Sequence, residues 1–240
     1  MTNKGTISLF IVWLSVLSII LGYLTWNSFQ GEQSYEELNV QRININEADG
    51  QPRIILSNKE KLPGIFMDGI EYPHPTRSFG GIIFFNSEGD EVGGLVFDAV
   101  EDSKGHNAFA HLAFDKYKQD QTVTITYEDR NGKRKAGLRI DDQPDGPLVP
   151  LIKLNAKIAN TKSKEEADLI RGEIRTLVEE QGSHTERVFV GTVGDESSLL
   201  RLSDKEGRTR IIMKVDSLGT SSLVFYDGNG NEIMKLPASN

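Results

Sequence analysis

The feature that most restricts the fold is a module written twice. Asn46–Leu56 reads Asn-Glu-Ala-Asp-Gly-Gln-Pro-Arg-Ile-Ile-Leu, and Leu202–Met213 reads Leu-Ser-Asp-Lys-Glu-Gly-Arg-Thr-Arg-Ile-Ile-Met. Gly50 aligns with Gly207, Arg53 with Arg210, and Ile54-Ile55-Leu56 with Ile211-Ile212-Met213. A second segment repeats with it: Ile82–Val92 matches Leu223–Ile233, turning at Gly89 and Gly230. Glycine at a turn between β-branched runs is hairpin chemistry, because it accepts the positive φ of the favoured two-residue turns. Each copy is therefore a pair of turn-centred strand pairs, and the fold class is mainly β, antiparallel and internally duplicated. The first copy differs by an insertion, Pro63–Pro75, between its two hairpins.

Ahead of this body lies Ile7–Trp26, twenty residues without a charge. As a helix rising about 1.5 Å per residue, such a run spans roughly the 30 Å hydrocarbon core of a bilayer. Tyr23 and Trp26 stand at one end, where amphipathic rings favour the interface. A cleaved signal peptide has a shorter apolar core and a small-x-small exit. Here the exit is Gly22-Tyr-Leu-Thr-Trp-Asn-Ser-Phe, and no cysteine is present for lipidation. The expectation is an uncleaved single-pass anchor whose partner is the lipid bilayer. Lys4 precedes the run, while Glu32, Glu36 and Glu37 follow it before Arg42. By the positive-inside rule the short tail faces the cytoplasm of a cell membrane and the bulk of the chain lies outside.

Composition narrows function by exclusion. The net charge is −8, and Lys4 is the only charged side chain up to Trp26, so the rest is more acidic still. That balance speaks against nucleic acid, which demands clustered Lys and Arg, and against electrostatic binding to an anionic leaflet. With no cysteine, disulfides, Cys-ligated zinc, iron–sulfur clusters and thiol nucleophiles are excluded.

The order along the chain is a tail and transmembrane helix (1–26), a polar stalk (27–38), a first β unit (39–142), a connector (143–186) and a second β unit (187–237). Within the connector, 163–181 reads as one amphipathic helix. Ser163 and Glu166 form a capping box, Ile170, Ile174, Leu177 and Val178 make a narrow apolar stripe, and Gly182 supplies the stop. Packing on the sheet is the expected role of that stripe, and self-association is the alternative. Leu148–Ile158 is apolar but too short to assign.

Candidate functional residues are few. Loops added to a repeated scaffold often carry binding, which singles out Tyr72, His74 and Arg77 by the insertion. The plainer reading, an extra hairpin covering a sheet edge, is favoured. His106, His111 and Asp115 can be drawn as a metal triad, or with Asp120 as a catalytic cluster. Alternation of Ala108, Ala110, Leu112 and Phe114 fits a strand better, and on a strand His111 and Asp115 share a face. Gly80-Gly81 and Gly93-Gly94 lack the following helix of a phosphate loop. Asp227–Glu232 imitates a calcium loop, with Glu232 where its glycine should stand. No catalytic residue, metal ligand or cofactor is assigned.

The phrases Arg42–Lys59, Phe84–Leu95 and Phe114–Gln121 resemble a group of uncharacterised bacterial proteins that likewise carry an N-terminal hydrophobic segment. That resemblance implies a family without a known activity, so no functional residue is carried over from it. The leading expectation is a membrane-anchored extracytoplasmic β domain that binds something or serves the envelope structurally, without catalysis. The alternatives are an enzyme using His106, His111 and Asp115, or a scaffold that self-assembles through edge strands. A protein partner or homo-oligomer stays open.

Overall fold

The computed structural model describes residues 4–30, 34–74 and 77–238, which divide into two units at Val40/Gln41. In the first, α1 (Lys4–Gln30) contains Ile7–Trp26, long and apolar enough to cross a membrane, with mean hydropathy 2.4. The helix runs past Trp26 into the segment expected as stalk. Three of its hydroxyls are satisfied internally: Ser15 donates to the Ile11 carbonyl at 3.0 Å, Ser18 to Leu14 at 2.9 Å, and Thr25 to Leu21 at 2.9 Å. Hydroxyls that bond back to their own helix in this way suit a solvent that offers no hydrogen bonds.

The second unit begins with β1 (Arg42–Asn46) and β2 (Pro52–Ser57), followed by the short strands β3 (Ile65–Met67) and β4 (Ile70–Tyr72). Then come β5 (Gly80–Phe85), β6 (Glu91–Asp102), β7 (Gly105–Asp115), β8 (Gln121–Arg130) and β9 (Lys133–Asp142). Helices α2 (Val149–Asn160) and α3 (Lys164–Gln181) precede β10 (Thr185–Thr192), β11 (Ser198–Ser203), β12 (Thr209–Val215), β13 (Ser221–Tyr226) and β14 (Glu232–Leu236). Twelve strands form one antiparallel meander in the order β1-β2-β5-β6-β7-β8-β9-β10-β11-β12-β13-β14, with β3-β4 a separate hairpin. The two duplicated β units are thus continuous through the β9–β10 pair. One copy is β1–β2 with β5–β6, the other β11–β12 with β13–β14.

Most turns differ from the two-residue type that glycine suggested. In Glu47–Gln51 the first N–H donates to the fifth carbonyl at 2.8 Å and the fourth N–H to the first carbonyl at 2.9 Å. The same pair of bonds closes the turns beginning at Asn86, Lys116, Val193, Asp204, Asp216 and Asp227. Four of these start with Asn or Asp, whose side chain accepts N–H groups of its own turn, as Asp216 Oδ1 does from Leu218 (2.9 Å) and Thr220 (2.8 Å). The would-be calcium loop is the same device, Asp227 Oδ1 accepting from Asn229 and Asn231. Two-residue turns close as expected at Asn131-Gly132, with φ of 54° and 84°, and at Asp68-Gly69, with φ of 55° and 72°. Gly50 (φ 90°) and Gly207 (φ 77°) hold the fourth turn position. Gly50→Val and Gly207→Val should each cost about 1–2 kcal/mol, read as a lower urea midpoint, and unchanged midpoints would contradict the strain.

Each five-residue turn that carries a bulge shifts register at its base, as between Phe84 and Phe85 or Phe114 and Asp115. Beyond the bulge a residue changes face. The β3-β4 hairpin lies across a sheet face, not the edge that was expected: Phe66 packs on the buried cluster Ile55, Ile83 and Phe85 and meets the Phe85 ring edge-on at 5.4 Å. Its tip is fixed where the Asp68 N–H donates to Asp90 Oδ1 at 2.6 Å, while Lys118 Nζ sits 2.6 Å from Asp90 and 2.8 Å from Asp68.

Two helices, not one, occupy the connector. α2 starts with Pro150 in its first turn, where a missing N–H costs nothing, and buries Ile152 against Met67 and Tyr72 of the hairpin. α3 has the expected cap, Ser163 Oγ accepting from the Glu166 N–H at 3.3 Å, and ends at Gly182. The Glu166 side chain turns to Thr161 instead of completing the box. α3 packs on α2 rather than on the sheet.

Candidate binding cleft

One row of cross-strand neighbours explains why a cavity forms. Across β2, β5, β6, β7 and β8 it reads Ile55, Ile83, Gly94, Ala113, Thr124. The two isoleucines fill the space beneath the hairpin. Gly94 and Ala113 leave the next stretch of floor low, and α2 bridges over it with Leu151, Ile152 and Asn155 on the lining. The result is a cleft of about 760 Å³, within the range of small-molecule sites. Gly94 is needed for depth, since a Cβ there would meet the Ile82 carbonyl and the Ile83 side chain.

The cleft has apolar walls, with Phe109 on β7 meeting Phe79 edge-on at 5.3 Å, and a polar end. At that end Arg77 pairs with Glu91, both about nine-tenths removed from solvent. Arg77 Nη1 also donates to the carbonyls of Pro63 (3.0 Å) and Gly64 (2.7 Å), tying the segment that leads into the hairpin to the site. His111 Nε2 lies 3.0 Å from Gln121 Oε1, and Gln119 donates to the Gly146 carbonyl at 2.7 Å. Two oxygens buried there have no hydrogen-bond partner: Glu91 Oε2 and Asp115 Oδ1. Orphaned carboxyl oxygens in a cavity wall are an incomplete arrangement by the ordinary standard of buried polar groups.

Burial dominates the electrostatics. It pushes the Asp115 carboxyl up to about 8, with the Glu91 and Asp120 charges adding to the rise and Arg77 opposing it. Burial likewise raises Glu91 against the pull of Arg77. His111 is lowered by burial and by Arg139, and His74 by burial and by Arg77. At neutral pH Asp115 therefore holds a proton and both imidazoles are neutral, so the site offers donors and acceptors without a dense negative charge.

Of the residues singled out in the sequence, His111 and Asp115 do share a face and both line this cleft. His106 does not join them. Its ring lies 2.9 Å from Asp129, which also holds Arg134 at 2.9 Å and accepts the Gly132 N–H at 2.8 Å in the β8–β9 turn. Among the described residues no group of three His, Asp or Glu side chains is placed to hold a metal ion. Asp120, His74 and Arg77 line the cleft, while Tyr72 is buried beneath α2 and serves the core. Glu91 was missed. It follows the turn Glu88-Gly89-Asp90 and reads as a solvent-facing residue until the bulge puts it on the inner face.

No family model matches the chain, and no curated protein matches it.

Proposed function

We propose that this is a single-pass membrane protein whose extracytoplasmic β unit binds a small organic ligand in the cleft. The observation that carries the reading is the polar end of the cavity, where Glu91 Oε2 and Asp115 Oδ1 are buried without partners beside apolar walls. A ligand with an apolar body and a cationic or hydrogen-bond-donating head would complete both oxygens. The helix with Ile7–Trp26, preceded by Lys4 and followed by glutamates, supports an anchor with the β unit outside. Protease added to intact cells should then remove the β unit, and its survival would overturn the orientation.

Native mass spectrometry of the full chain taken from its membrane tests the binding. Wild type should retain a small molecule that the Asp115→Asn, Glu91→Gln double variant loses. A wild type that carries nothing, and whose melting is raised by no member of a metabolite panel, would remove the reading. A second reading, acid–base catalysis, draws on one observation: Asp115 titrates near 8 in the same cleft as a neutral His111.

A further inference from the structure

The sheet face opposite the cleft is apolar across its whole width. One row of directly paired residues runs from Ile43 on β1 through Leu112, Ile125 and Leu200 to Leu236 on β14. The next row runs from Ile45 through Phe114, Ile140 and Ile211 to Met234. Every position in the two rows is Ile, Leu, Val, Met or Phe except Gly93, over which Phe84 and Phe114 stack at 6.4 Å. The hairpin and α2 both lie on the other face, and none of these side chains is buried. Ile45 is 53% exposed, Ile125 52% and Met213 53%.

We propose that this face is covered by the same face of a second copy of the chain. At ~4.8 Å between strands and ~7 Å between rows, two rows over the sheet cover on the order of 800 Å². That matches the roughly 800 Å² per partner of a stable protein interface and exceeds the few hundred Å² that monomers leave as contiguous apolar patches. The two rows carry neither a charge nor a side-chain hydrogen-bonding group that would select a different protein. A surface of uniform aliphatic rows is complementary to itself about a two-fold axis, which a symmetric dimer requires. Facing sheets interdigitate such rows about 10 Å apart. The bodies are acidic, and this uncharged face is where two copies approach without burying like charges.

Light scattering on the full chain in detergent, corrected for the micelle, should give the mass of a dimer. Ile125→Lys with Met213→Lys should give a monomer with an unchanged circular dichroism spectrum. A monomeric wild type overturns the proposal. So does a dimer that survives both lysines, since it would place the contact elsewhere, such as the free edges β1 and β14. Should the lysine variant not fold, the absence of native cysteine offers a second route. Ile125→Cys and Leu138→Cys should cross-link between chains in membranes much faster than Lys157→Cys on the exposed side of α2. Equal rates overturn the proposal.

Discussion

Replacing Asp115 by Asn should make the β unit more stable, and the gain should grow with pH. The carboxyl titrates at about 8 in the folded state against an ordinary 3.8, mainly because it is buried. Between those values the native protein holds a proton that the unfolded chain has released, so stability falls as pH rises through the interval and levels off above it. At about 1.4 kcal/mol per unit the full shift corresponds to roughly 6 kcal/mol, an upper bound. Partial solvent access brings the expected gain to about 2–4 kcal/mol at and above pH 8, and close to zero near pH 4. Urea midpoints of the two proteins at both ends of that range check it. Equal midpoints at the alkaline end would mean that the carboxyl is solvated and ordinary. A group that costs stability while leaving an oxygen unpartnered is what a binding site retains for its ligand.

The opposite sign is expected at Arg77. Arg77→Met removes the partner of Glu91 and the bonds to the Pro63 and Gly64 carbonyls together. Breaking a buried pair by deleting one member costs about 3–5 kcal/mol, because the remaining charge stays desolvated. Adding Glu91→Gln removes that orphaned charge and should restore a good part of the loss. Below neutral pH the single variant should also recover, since Glu91 is already raised by burial and can protonate instead. If Arg77→Met unfolds at the same denaturant concentration as wild type, the pair is not buried and the polar end of the cleft is open to water.

How much of this was legible varies with the range of the interaction. His111 and Asp115 were placed on one face from a two-residue period alone, and they do line one cleft, because strand alternation is local. His106 was drawn beside them by proximity in sequence, and a separation of five positions from His111, an odd step on a strand, puts it on the other side. Glu91 escaped notice because the turn before it hides a one-residue bulge, and a bulge inverts the alternation on which the reading depends. Tyr72 looked like a binding-loop residue for its position in an insertion. It is core, because the insertion folds down under α2, an apolar segment too short to assign from its sequence.

The sequence by itself determined the apolar helix and the hairpins, since both follow from residue type at a spacing of a few positions. The tertiary structure alone decided that the two repeats merge into one sheet, that the insertion and α2 roof the face where Gly94 and Ala113 leave room, and that three carboxyl groups from two separate turns converge there. The reason is physical. Backbone preferences act between neighbours, whereas a cavity is set by which distant side chains are too small to fill the space between layers, and no spacing along the chain encodes that volume.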